Sequence, residues 1–152
     1  SLRALNVHSE QIDQAISDAS NIVNNIIKRD ETPEKYCGFF CCGKCTVSYW
    51  RNLVNEKLPN NKERLAQGLI ELEKNRDQKG RWKRFPFYYT AYVLDDMPIE
   101  TIKKQLEYIK PVLQRVSRRK FSSDKYGIRR KYIVKTLLCK AKKLQMMEME
   151  IK

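Results

Sequence analysis

Apolar residues recur at spacings of three and four over residues 8 to 29, at Ile12, Ala15, Ile16, Ala19, Ile22, Val23, Ile26 and Ile27. That period gathers them on one face of a helix. Ser9 is available as its cap, and Glu10 and Asp13 sit near its positive end. Residues 30 to 45 sustain no period and hold Pro33, Gly38 and Gly43, so they read as a loop. Thr46 is placed to cap a helix running to about Glu56 with Val47, Trp50, Leu53 and Val54 inward, and Asn60 or Asn61 a third with Leu65, Leu69, Ile70 and Leu72.

A second loop, "NRDQKGRWKR", leads to Pro86, whose missing N–H suits a first helical turn. The helix from about 86 to 95 carries Tyr88, Tyr89, Tyr92 and Val93. Pro98 starts another, with Ile99, Ile102, Leu106, Ile109, Leu113 and Val116 in step. Pro111 lies inside that pattern and predicts a kink or break. The last helix, about 124 to 147, has Asp124 as cap and an arc of Ile133, Val134, Leu137, Leu138, Ala141 and Leu144. Six helices with short connections and no strand predict an all-α fold of antiparallel helical hairpins, and 152 residues fit one domain over 1–152.

Composition supports a folded chain, since 41% hydrophobic against 32% charged residues is a globular balance, and five Gly and five Pro are few for a turn-rich β fold. No run of 18 apolar residues occurs, nor a charged start followed by an apolar stretch and a small-residue cleavage site. The expectation is therefore no membrane span, no secretory signal and a cytoplasmic location.

Two segments share a layout. "GFFCCGKCTVSYW" (38–50) and "GRWKRFPFYYTAYV" (80–93) each set a Gly before an aromatic, then an irregular stretch, then a Thr at the start of an aromatic-bearing helix. Thr46 and Thr90 are 44 residues apart, the length of one helical hairpin. The second segment, with Gln78, Gly80 and Trp82, resembles the loop-plus-helix repeats of α/α-toroid proteins, the terpenoid cyclases and protein prenyltransferases. The resemblance covers about 20 residues and implies helical hairpins. It carries no catalytic residue across, because the aspartate-rich motifs and zinc ligands of those families have no counterpart. A third class of function follows from it, an apolar ligand held between hairpins in a pocket lined by Trp50, Trp82 and Tyr89.

Charge changes the picture more. The chain carries a formal net charge of +13, with 11 Lys and Arg against 10 Asp and Glu in residues 1–76 but 20 against 8 in residues 77–152. Such asymmetry points to an anionic partner. Lys131, Lys135 and Lys142 flank one side of the last helix's apolar arc and Arg129, Lys140 and Lys143 the other. Arg115, Arg118, Arg119 and Lys120 precede them, and Lys79, Arg81, Lys83 and Arg84 fill the second loop. The predicted phosphate contacts are Arg81, Lys83, Arg84, Arg118, Arg119, Arg129, Arg130 and Lys131, with Trp82 as a surface on which an unpaired base stacks. DNA or RNA is the first expected partner and an acidic protein the second. Phosphate-cradling glycine loops and serine nucleophile elbows are absent, so the chain reads as a binding module rather than an enzyme.

Cys37, Cys41, Cys42 and Cys45 fall within nine residues, with Cys139 far along the chain. Cys42-Gly-Lys-Cys45 has the spacer of a zinc knuckle, and Cys37, Cys42 and Cys45 match a C-x4-C-x2-C iron–sulfur spacing with Cys139 as fourth ligand. The alternatives are a reactive or redox thiol, with Cys45 activated by Lys35, Lys44 and the following helix, or thiols that simply pack beside Phe39 and Phe40. The single His, His8, reads as a surface residue, and Asp95-Asp96, pointing apart on a helix, as a helix-end feature.

Overall fold

A computed structural model describes residues 10–28, 31, 36–55 and 58–150. It contains six helices: α1 (Glu10–Ile27), α2 (Gly43–Asn55), α3 (Asn61–Lys74), α4 (Phe87–Asp96), α5 (Ile99–Ser117) and α6 (Lys125–Glu150). The described residues form no strand, only two isolated antiparallel bridges, Glu31 with Tyr36 and Arg76 with Trp82. The all-α reading holds. Ser9, His8, Lys35 and Pro33, together with the side chains of Ile12, Ile16, Val23, Ile26 and Ile27, lie outside the described residues, whereas Ile22 of the expected α1 arc is exposed.

Helix α4 sits between α2 and α6, while α3 packs on α2 and α5 on α6. The periodic positions explain this order. Leu53, Leu72, Leu94, Ile102, Leu106, Ile109, Leu113 and Leu137 are all fully buried, each supplying about 1.5–3 kcal/mol of apolar burial. Polar ties orient the layers. Asp96 pairs with Arg51 of α2 at 3.1 Å and Asp95 with Lys140 of α6 at 3.6 Å, so the adjacent carboxylates point apart and brace α4 on both sides. Lys140 also donates to the carbonyls of Asp95 and Met97.

Three boundaries differ from expectation for identifiable reasons. Thr46 does not cap α2; the helix starts at Gly43, and Thr46 is its fourth residue, fully buried, as Thr90 is the buried fourth residue of α4. Asn60 adopts a left-handed φ of 54° and makes no side-chain cap. Pro111 does not break α5, which runs unbroken through it because Ile109, Val112 and Leu113 on either side are locked in the core. Asp124 does cap α6, its Oδ1 accepting the Tyr126 and Gly127 N–H groups at 2.8 and 2.7 Å.

Loop 75–86 is as well built as the helices. Asp77 Oδ1 accepts the N–H groups of Lys79 and Arg81, each at 2.8 Å, and lies 2.9 Å from the Tyr108 hydroxyl, which in turn accepts the Asp77 N–H. Desolvation pushes the Asp77 carboxyl up, but these donors outweigh it and hold it below the usual carboxylate value. Gly80 turns the loop at φ +80°, where a Cβ would meet a Val112 methyl at 2.5 Å, as Gly38 turns the earlier loop at φ +68°.

Candidate functional site

Two sites emerge, a basic groove along α6 and a thiol cluster at the start of α2. The groove has a volume of about 790 Å³ and lies between the 117–123 connection and one face of α6. Ile128, Lys131, Val134 or Lys135, Leu138 and Lys142 reach it because positions three and four apart share a helix face. Phe121, Ile128, Val134 and Leu138 give an apolar floor. Arg119, Lys120, Lys131, Lys135 and Lys142 form its cationic wall, with no carboxylate in the lining. All five are exposed, and none has an ion-pair partner among the described residues.

Of the phosphate contacts expected from sequence, the groove takes in Arg119 and Lys131, while Arg118 ends α5 beside it and Arg129 is exposed on α6. Arg130 turns to α4, its guanidinium 4.9 Å from the centre of the Tyr88 ring; Tyr88 meets Phe87 edge-on, and Arg81 stands 5.0 Å over Phe87. This cation–ring chain joins loop 75–86 to α6. Arg84 leaves that group and lies over Phe39 at 4.2 Å, in the cysteine loop, and Lys83 is exposed in its own loop.

Trp82 is corrected. It is 5% exposed, stacked on Phe87 with its indole N–H 3.4 Å from Gln105 Oε1, and offers no free face to a base. Trp50 is equally enclosed, stacked on Phe85, whereas Tyr89 is 61% exposed, so these three rings line no common pocket. The exposed rings that sequence reasoning passed over are Tyr126 and Tyr132, with Ile128 between them. Their signal was present: they are the apolar residues of α6 that fall off its buried arc.

The four-cysteine set resolves into three and one. The sulfurs of Cys41, Cys42 and Cys45 lie within 4.8 Å of one another, all on exposed residues. Cys37 does not join them; its thiol donates to the Phe39 carbonyl at 2.8 Å and accepts the Phe39 N–H at 3.4 Å. Cys139 is exposed on α6, in the groove lining, and is no part of the cluster.

Because α2 begins at Gly43, Cys42 rather than Thr46 occupies the cap position, and its sulfur accepts the Cys45 N–H at 3.5 Å. That bond, with the Cys45 thiol, lowers the Cys42 thiol to about 7. Cys45, whose thiol is hydrogen-bonded to the sulfurs of Cys41 and Cys42, is pushed up to about 11, opposite to the sequence expectation. Gly43 permits the arrangement, since a Cβ there would lie 1.9 Å from the Arg84 carbonyl oxygen.

Among the described residues no helix is long and apolar enough to cross a membrane. Compared with models of protein families, with curated proteins and with solved structures, the chain matches none.

Proposed function

We propose that the chain is a nucleic-acid-binding module that holds a single strand of DNA or RNA along the groove beside α6. The observation that carries this reading is the wall of five exposed cations, Arg119, Lys120, Lys131, Lys135 and Lys142, without a carboxylate in the lining or an ion-pair partner among the described residues. Cations already neutralised within a fold have little left for a ligand; these have their full charge to offer phosphates. Tyr132, exposed on α6 outside the groove lining, offers a ring for sequence-tolerant stacking where a strand leaves the groove. Arg118, Arg129, Arg130 and Arg81 extend the positive field beyond the groove. We propose a cytoplasmic location, a compartment that keeps exposed thiols such as Cys41, Cys42, Cys45 and Cys139 reduced.

Anisotropy of labelled single-stranded DNA and RNA oligonucleotides tests the reading. Five neutralised phosphates give a log–log salt slope of about −3.5, so affinity falls roughly 100-fold between 50 and 200 mM salt. Lys131→Gln with Lys135→Gln reduces that slope by about 1.4 and weakens binding. No affinity at low salt, or displacement by polyglutamate as readily as by oligonucleotide, overturns it; the latter result assigns the groove to an acidic protein.

A further inference from the structure

The turn that carries the clustered cysteines is fixed from below by buried groups. The Gly38 carbonyl accepts the indole N–H of Trp50 at 3.1 Å, and Trp50 is 2% exposed. The Phe40 N–H bonds to the hydroxyl of the fully buried Thr46 at 3.1 Å, and the Thr46 N–H returns to the Cys42 carbonyl at 2.8 Å. Cys41 and Cys42 are thus held between two anchored residues, and Cys45 is one helical turn on, facing them. Three sulfurs within 4.8 Å of one another are a consequence of this backbone rather than of chance side-chain positions.

We propose that Cys41, Cys42 and Cys45 form a three-thiolate site for a thiophilic d10 cation, Zn²⁺ or Cu⁺, with one coordination position open to solvent. Sulfur donors select such ions over hard cations. A Zn–S distance of about 2.3 Å in tetrahedral geometry sets the sulfurs about 3.8 Å apart, within about 1 Å of their present spacing and inside the reach of side-chain rotation. Among the described residues no His, Asp or Glu joins the group. The site therefore has the three protein ligands of an open centre rather than the four of a closed structural one.

Nothing is oxidised or reduced on binding. Each thiol passes its proton to the buffer as its sulfur bonds the metal, and the ion keeps its oxidation state. The amide groups at the start of α2 and the adjacent Lys44 offset the negative charge that three thiolates bring.

The test uses the full reduced chain in two competition titrations, Zn²⁺ against a chromophoric chelator and Cu⁺, without oxygen, against a Cu⁺-selective chelator. One equivalent binds in at least one arm, and the arms identify the ion. Cys41→Ser, Cys42→Ser and Cys45→Ser each weaken binding tenfold or more, whereas Cys37→Ser and Cys139→Ser leave it unchanged. Serine retains an oxygen to cap α2, so unchanged circular dichroism separates lost ligation from lost helix. Should any of the three serine variants unfold, Co²⁺ added to the unmodified chain still reports thiolate ligation through its sulfur-to-metal absorption. Failure of both ions to bind, or binding that survives the three substitutions but not those at Cys37 or Cys139, overturns the proposal.

Discussion

At the scale of single residues, Cys42 and Cys45 differ only in position along the same turn, yet their chemistry diverges. The sulfur of Cys42 receives a backbone N–H and sits at the positive end of α2, which favours its thiolate at about 7; the thiol of Cys45 is hydrogen-bonded to its neighbours' sulfurs and stays protonated to about 11. The initial rate of carboxymethylation, read before a second thiol reacts, rises with the thiolate fraction, so that of Cys42 has its midpoint near pH 7, while that of Cys45 in the metal-free chain stays low through pH 9. Peptide mass mapping across pH 5–10 checks this, and equal profiles for the two sites refute it. Arg64 is a second residue with a position-dependent role. It is 1% exposed, donates to the Pro59 carbonyl at 3.2 Å, the Tyr49 hydroxyl at 3.3 Å and Glu31 at 2.5 Å, and lies 4.2 Å over the Tyr36 ring. Replacing it by Ala removes these bonds and the buried guanidinium packed against Tyr36 and Tyr49, with an expected loss of about 1–3 kcal/mol in denaturant unfolding. Nothing in the sequence separated Arg64 from the other arginines, because its burial depends on Glu31 and Tyr36, distant in sequence, meeting it on α3.

At the scale of elements, Pro111 makes the clearest case. The pyrrolidine removes the N–H that would bond the Glu107 carbonyl and crowds the preceding turn, yet α5 continues from Ile99 to Ser117. Burial of Ile102, Leu106, Ile109, Leu113 and Val116 along one stripe outweighs the local defect. Pro111 itself is exposed, so Pro111→Ala restores the hydrogen bond without disturbing the core, and the looser unfolded chain offsets part of the gain. A net stabilisation of about 2 kcal/mol, several degrees in Tm, is expected by calorimetry; no change or a lower Tm contradicts it. The same reasoning explains which elements were legible. Long apolar periods predicted α3 to α6 to within a few residues, since the core is built from those positions. The cap of α2 lies at Cys42, four residues before Thr46, and a cysteine sulfur is outside the usual set of capping side chains that the sequence pattern reveals. The groove was only half legible: Lys131 and Lys135 were visible as one helix face, but Phe121 and Lys120 enter it through the fold of the 117–123 connection.

At the scale of the whole molecule, the asymmetry of charge acts on stability and on binding with opposite signs. Residues 77–152 hold 20 basic against 8 acidic side chains, and several of those acids are already engaged: Asp95 and Asp96 with Lys140 and Arg51, Glu148 with Lys103, and Asp77 and Asp124 with backbone N–H groups. The groove cations therefore repel one another across α6 with little internal compensation. Repulsion weakens as the screening length shrinks from about 30 Å at 0.01 M salt to about 8 Å at 0.15 M, so the Tm of the free chain rises over that interval. A bound oligonucleotide supplies the missing negative charge, and the Tm increase it produces falls over the same interval as its affinity falls. The double replacement Lys131→Gln and Lys135→Gln separates the two effects. It raises the Tm of the free chain at low salt by relieving repulsion, and it shrinks the increase that oligonucleotide produces. A groove kept only for solvation gives the first change without the second, and a pair of lysines needed for folding lowers the free Tm. Thermal melts of the two proteins, with and without oligonucleotide at both salt concentrations, distinguish the three outcomes by sign, and a fold that retains uncompensated repulsion for the sake of a ligand predicts the opposite-signed pair.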